Sequence, residues 1–460
     1  MKYSASSETI FARASGAGKA GVAVFRLSGP DSHRIANKLI GKQIKIRDPK
    51  LVTVSDPASG EIIDRGLAIL FKGPASFTGE DVAEFHLHGA RAVEMSLYEM
   101  IAALGARPAE AGEFTFRALR NGKLDLAQAE ALADLIDSET TRQRMQALGQ
   151  LGGRLSAVAE GWRKLLLGIL APLEADIDFP DEGDVPAAVA ARAAPAIAAL
   201  KDELTMFIRE SGRARMIREG VSVAIIGAPN AGKSSLLNAL AGSDVAIVTE
   251  TPGTTRDIIE TRLDLGGVVA MVADTAGLRK AAADAIEREG MARAKTRAAT
   301  ADIRVLVVDA GSCVSRETLL VGGDENVPRE TLALLQPGDF ILWNKADLAS
   351  MPAGEVAAFQ EHRVSAKTGA GIEGFVAALT EGVASSAAGE SGPALTRARH
   401  VKAVEGAIEM LSRAETRITT APELAAEDVR LAVRALGGIT GAVGVEDVLG
   451  EIFSSFCIGK

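Results

Sequence analysis

One stretch constrains this chain more than any other: GAPNAGKSS at 227–235, which follows the apolar run VSVAII and leads into SSLLNAL. It fits the pattern G-x-x-x-x-G-K-[ST] in the context that pattern requires, a strand before and a helix after. Gly227 and Gly232 let the backbone wrap close to phosphates, Lys233 reaches the β- and γ-phosphates, and the Ser234 hydroxyl is a Mg²⁺ ligand. Asn230, Ala231 and Ser235 complete the loop. This part of the chain is therefore expected to be an α/β P-loop domain.

Three further motifs follow in order. DTAG (274–277) closes the apolar run VVAMVAD, so Asp274 reaches Mg²⁺ through water and Thr275, Ala276 and Gly277 line the γ-phosphate. NKAD (344–347) supplies Asn344, Lys345 and Asp347. A carboxylate there accepts from both N1–H and the N2 amino group of guanine; adenine offers neither donor in that place, so GTP is selected over ATP. SAKTG (365–369) adds Ser365 and Ala366 as contacts to the base. Four ordered matches predict an enzyme that hydrolyses GTP.

The details narrow the type. Where Ras-like enzymes carry a water-orienting Gln after the D-x-x-G glycine, this chain has Leu278. Asn230 and VTETPGTTRD (248–257), through Thr249, Thr251 and Thr254, offer oxygens for K⁺, which would offset charge developing in the transition state. Thr255 is the expected switch-I Mg²⁺ ligand, and Glu287, in the polar stretch after Asp274, is the candidate to hold the catalytic water.

The chain has 460 residues, too many for one ordinary core, and 47% hydrophobic residues against 24% charged indicate globular domains. Residues 1–122 mix strand-like runs (GVAVFRLSG, GLAILFKG) with a helical one (AVEMSLYEMIAALG), an α+β pattern. Residues 123–217 turn helical, with Leu124, Ala127, Ala131, Leu132, Leu135 and Ile136 at helical spacing. Residues 218–381 alternate strands with helices, their near-continuous apolar runs being those of parallel strands, and 382–460 are helical again. The economical arrangement is an α/β P-loop GTPase domain inserted in an all-α helical domain, preceded by an α+β domain. A net charge of −9 gives no global field for nucleic acid, so RNA contact would need local basic stretches such as RESGRARMIREG (209–220) or RARHVK (397–402). The greasiest run, LLLGILAPL (165–173), is about half of the roughly 20 residues that cross a bilayer. With no signal-like N-terminus and only 2 cysteines, a cytoplasmic location is expected, without membrane attachment.

The Asn230 loop, GTTRD, DTAGL and the terminal FCIGK, with FTGEDVAEFHLHG (77–89), GEFTFRALRNGKLDLAQAEALADLI (112–136) and DIDFPDE (176–182), together resemble the MnmE (TrmE) family of tRNA-modification GTPases over essentially the whole chain. The resemblance implies a homodimer held by N-terminal domains that bind a tetrahydrofolate derivative, 5-formyl or 5,10-methylene. It also implies a larger complex with the FAD protein MnmG, K⁺-dependent hydrolysis, and addition of an aminomethyl or carboxymethylaminomethyl group at C5 of the wobble uridine of certain tRNAs. Carried over by position, the folate contacts fall on Arg26, Glu84, Lys123 and Lys460, and the catalytic glutamate on Glu287. ASGAGKAGVA (14–23) lacks the prolines and arginine of the family pattern, and the Asp274-to-Glu287 spacing is one residue longer. Lysine at the last position makes FCIGK a poor prenylation signal. Cys457 is left as a thiol at the modification site or a packed residue near the folate end.

Overall fold

The computed structural model describes residues 8–178, 186–228, 230–247, 260–274, 296–311, 329–349, 359–386, 392–442, 449–450, 452–453 and 456–459. Two compact units divide the chain: Met1–Ile136, Leu148–Thr205 and Ala398–Lys460 form unit 1, and Asp137–Ala147 with Met206–Arg397 form unit 2.

Unit 1 begins with a six-stranded sheet in the order β3-β4-β5-β2-β1-β6. Its strands are β1 (Ile10–Arg13), β2 (Ala20–Ser28), β3 (Lys50–Ser55), β4 (Ile62–Phe71), β5 (Val82–Gly89) and β6 (Arg107–Pro108). Alternation decides its faces. Ala23, Phe25 and Leu27 of β2 and Ala83, Phe85 and Leu87 of β5 are buried against α1 (Ser32–Ile40) and α2 (Arg91–Ala103). Arg26 and Glu84, one residue out of phase, therefore share the opposite face, as directly paired residues of antiparallel neighbours.

The helices of unit 1 follow: α3 (Glu113–Arg120), α4 (Leu126–Ile136), α6 (Arg154–Asp178), the first part of α7 (Pro186–Glu219), and, late in the chain, α10 (Ala398–Arg417) and α11 (Pro422–Thr440). α11 packs on α10, α6 and α4. Ala127 and Ala131 of the expected α4 stripe are buried, but Ile136 is half exposed and Glu130, an acid within the stripe's arc, is buried. Among the described residues no helix is long and apolar enough to cross a membrane.

Unit 2 holds a second six-stranded sheet, ordered β12-β11-β10-β7-β9-β8. It comprises β7 (Val221–Ile226), β8 (Glu260–Leu265), β9 (Val268–Asp274), β10 (Ile303–Asp309), β11 (Phe340–Asn344) and β12 (Gln360–Arg363). The runs expected to be parallel strands are parallel. β8 is the exception: Gly266 and Gly267, at φ 67° and 94°, make a two-residue turn that folds β8 back antiparallel to β9. α8 (Lys233–Ala241) and α9 (Ile372–Ser386) cover one face through Leu236, Leu240, Phe375 and Leu379, while Trp343, Ile341 and Leu306 lie in the core on the other.

Candidate functional site

At the carboxyl end of the unit 2 sheet, β7 leads into the glycine-rich loop and α8 begins at Lys233. Two glycines are fixed there by contact. Gly227, at φ 146°, would place a Cβ 2.3 Å from the Val307 carbonyl oxygen, and Gly232, at φ 98°, would place one 2.1 Å from Asn344 Nδ2. Asn230 also takes a positive φ of 66°, which Asn tolerates better than most residues. The buried Lys233 donates through Nζ to the carbonyls of Gly227 at 2.8 Å and Ala228 at 2.7 Å. Its ammonium thus sits over the loop that a nucleotide's phosphates would occupy. Ser234 and Ser235 are exposed in the first turn of α8, and Ala231 is buried beneath the loop.

Asn344 joins this loop to the base-recognition motifs. Its Nδ2 donates to the Ala231 carbonyl at 2.7 Å, and its Oδ1 accepts from the Ala366 N–H at 3.0 Å. Lys345, at φ 62°, pairs with Asp309 at 2.6 Å. Asp347 is exposed, and one carboxylate oxygen accepts from the buried Ser365 hydroxyl at 2.7 Å. That bond, partly opposed by desolvation, holds the Asp347 carboxyl below its ordinary range, ionised at neutral pH. Asp274 ends β9 in register with Ile225 at the end of β7, so its backbone lies beside the root of the loop. Thr249, Thr251, Thr254, Thr255, Thr275, Ala276, Gly277 and Glu287 lie outside the described residues, as do Leu278 and Lys460. Of the expected metal ligands, the exposed Ser234 hydroxyl and Asn230 carry the hard oxygen that Mg²⁺ and K⁺ respectively take.

In unit 1, Arg26 and Glu84 pair at 2.8 Å, each largely but not fully buried. The Arg26 guanidinium also lies 5.2 Å from the Phe77 ring centroid and 5.7 Å from that of Phe114. Sequence reasoning missed both aromatics, which come from a loop and from α3, although Phe77 opens FTGED and Phe114 lies in GEFTF, two stretches that carry the family resemblance. An oriented carboxylate beside a planar cation and two rings is chemistry suited to a flat, hydrogen-bonding heterocycle. Lys123 is exposed just past α3, its N–H closing the helix on the Ala118 carbonyl at 2.8 Å.

The C-terminal segment returns to the same unit. Phe453 and Phe456 pack with Phe116 and Ala129, the Gly112 N–H donates to the Cys457 carbonyl at 3.4 Å, and Ile458 bridges to Ala111. Gly459 lies against Arg13, where a Cβ would be 2.0 Å from its carbonyl oxygen. The Cys457 thiol is free and exposed. Two members of RARHVK turn inward while Lys402 stays exposed: Arg399 grips Glu130 with two bonds of 2.6 Å, and His400, fully buried, lies 3.0 Å from the same carboxylate.

Comparison with known proteins agrees with these features. A family model described as the MnmE helical domain matches residues 126–457, and one for the GTP-binding protein TrmE N-terminus matches residues 9–123. The tRNA modification GTPase MnmE of Maricaulis maris is 47% identical over 454 residues, spanning 98% of this chain and 99% of that protein. Its counterpart in Parvibaculum lavamentivorans is 48% identical over 458 residues, with 98% and 100% covered. That of Phenylobacterium zucineum is 49% identical over 461 residues, with 99% and 100% covered.

Proposed function

The chain belongs to the MnmE family of GTPases that act in tRNA modification, and from that premise we propose that it hydrolyses GTP to time the modification of wobble uridines in the cytoplasm. In this reading it works as a homodimer with the FAD protein MnmG, in a heterotetramer or larger complex, on certain tRNAs. A one-carbon tetrahydrofolate then supplies the carbon of an aminomethyl or carboxymethylaminomethyl group at C5. The observation that carries the reading is Asn344, which ties phosphate loop, base motif and SAKTG into one constellation, within a chain similar to its relatives from end to end.

The division of labour follows the segments. Residues 218–381 bind and hydrolyse GTP, 1–122 bind folate and dimerise, and 123–217 with 382–460 form the helical domain that ends in the C-x-G-K motif. Lys233 exchanges its loop carbonyls for the β- and γ-phosphates, and the backbone of 230–235 with Thr275, Ala276 and Gly277 cradles them. Asp347 receives the two guanine donors while Asn344, Lys345, Ser365 and Ala366 hold its loop in place. Ser234 and Thr255 would hold Mg²⁺, with Asp274 acting through water. Asn230, Thr249, Thr251 and Thr254 would hold K⁺, which when bound neutralises charge on the transferring phosphoryl group. Glu287 would hold the catalytic water. Arg26, Glu84, Lys123 and Lys460 would hold the folate, and the exposed Cys457 thiol is available at the modification site.

Mass spectrometry of wobble uridines in tRNA from cells lacking this chain tests the reading. Loss of the C5 groups, restored by complementation, is expected. Unchanged uridines would overturn the modification role and leave a GTPase with another task.

A further inference from the structure

The β8–β9 hairpin lies between the two stretches of unit 2 to which the GTPase reading assigns nucleotide contacts. On one side β8 is flanked by Val245–Ile247, which run toward GTTRD: the Asp264 N–H donates to the Val245 carbonyl at 2.7 Å, and the Ile247 N–H to that of Arg262 at 2.8 Å. On the other, β9 pairs with the P-loop strand β7 and ends at Asp274. The turn itself is held by α5 (Thr141–Leu151), whose first turns belong to unit 2 while Leu148 and beyond belong to unit 1.

Thr140 makes that attachment through a capping box. Its Oγ1 accepts from the Gln143 N–H at 3.3 Å, and Gln143 Oε1 accepts from the N–H groups of Glu139 at 2.9 Å and Thr140 at 3.1 Å. With its acceptor side used on the helix, the buried Thr140 hydroxyl donates to the Gly267 carbonyl at 2.8 Å. Glu139 pairs with Arg262 of β8 at 2.6 Å. Gly267 completes the fit: a Cβ there would lie 2.6 Å from the Arg142 side chain. From the same face of α5, Gln143 Nε2 and, one turn on, Gln146 Nε2 donate to the carbonyls of Arg218 and Ala214, near the end of α7 that feeds β7.

We infer that Glu139 and Thr140 are positioning residues that couple nucleotide state to α5 by fastening the β8–β9 hairpin to its first turn. A shift of either flank of the hairpin on GTP binding moves the Gly267 carbonyl and the Arg262 guanidinium, and both pull on the capped end of α5. The inference rests on the GTPase reading.

The test uses the full chain, a non-hydrolysable GTP analogue, calorimetry for binding and hydrogen exchange read by mass spectrometry. In the wild type the analogue is expected to alter exchange in peptides from 230–247 and from 141–151. In Thr140→Val the analogue binds with unchanged affinity and still alters 230–247, but the response of 141–151 falls about tenfold, the scale of ordinary coupling between sites. Thr140→Ser, which keeps both hydroxyl bonds, retains the response. Glu139→Arg loses part of it and regains it when combined with Arg262→Glu. Should Thr140→Val fold poorly, the charge-reversed pair at this more exposed position carries the test. A full response of 141–151 in Thr140→Val or Glu139→Arg, or a Thr140→Ser as defective as Thr140→Val, would overturn the coupling. A wild-type chain that binds no guanine nucleotide would overturn the GTPase reading itself, and the inference with it.

Discussion

Glu130 offers a stability measurement whose size can be worked out beforehand. Its carboxylate is 1% exposed on α4, held by Arg399 through two bonds of 2.6 Å and by His400 at 3.0 Å. Arg399 also donates to the Gly438 and Ile439 carbonyls, at 2.9 and 3.0 Å, in the last turn of α11. Burial alone would raise the carboxyl, but the bonds from His400 and Arg399 outweigh it and bring it from 4.5 down to about 2. At 1.36 kcal/mol for each tenfold, that drop corresponds to about 3 kcal/mol. The sign follows from the direction. A folded-state value below the unfolded one gives stability that is fully present above about 4.5 and lost as pH falls toward about 2. Glu130→Gln keeps the shape and mimics the protonated acid, so it should cost about 3 kcal/mol at neutral pH and progressively less below about pH 4.5. The chain's 2 tryptophans allow a local readout. Trp162 of α6 is buried in unit 1, so in a Trp343→Phe background its fluorescence reports that unit alone. Urea midpoints should differ by about 1 to 3 M at neutral pH, given m-values of about 1–3 kcal/mol/M. Equal midpoints at neutral pH, or a gap that stays constant into acid, would refute the reasoning.

The nucleotide site gives sharper expectations. Asp347→Ala should weaken GTP binding about a hundredfold, two charge-assisted bonds at about 1.5 kcal/mol each, while leaving the affinity for ATP no worse; equal loss for both nucleotides in a filter-binding assay would remove Asp347 as the selector. Gly232→Ala should abolish GTP binding on a folded chain, because its Cβ would sit 2.1 Å from Asn344 Nδ2 at a φ of 98°; wild-type affinity by calorimetry would contradict that crowding. Hydrolysis should be faster in K⁺ than in Na⁺, and Asn230→Ala should erase the difference; equal rates in both salts end the cation proposal. Arg26→Ala and Glu84→Ala should each weaken binding of formyl-tetrahydrofolate about tenfold or more, one charged hydrogen bond's worth; unaltered calorimetric titrations in both would remove the folate site.

Features set by local backbone chemistry were legible in the sequence. The P-loop glycines, the apolar strands of unit 2 and the alternation that turns Arg26 away from the core all follow from neighbouring residues. β8 was readable in principle, since Gly-Gly between ETRLDL and VVAMVAD is a hairpin signal, but its alternating polar residues set it apart from the near-continuous apolar runs of the parallel strands. Glu130 was not readable. Its partner Arg399 lies 269 positions away, and each member looked ordinary alone, an acid on a helix and a basic stretch suited to RNA. The Arg26 cradle shows the same limit: strand alternation pairs Arg26 with Glu84, but Phe77 and Phe114 arrive only through tertiary packing.

Asn344 determines how the recognition tasks can be shared. Its amide is 2% exposed and committed at both ends, donating to Ala231 and accepting from Ala366. One N–H and one lone pair remain, but on a residue so deeply buried they offer a base far less than an exposed side chain does. In the proposed GTP site, base selection then falls to Asp347, the exposed acid of the motif, which Ser365 restrains at a single oxygen. The role left to Asn344 is mechanical: it braces the phosphate loop against the base loop at a point where Gly232 has no room for a methyl group. Removing the amide should therefore weaken phosphate and base contacts together. Guanine affinity falls with Asn344→Ala because the loops separate, and the preference of guanine over adenine persists among whatever molecules still bind, since Asp347 is untouched.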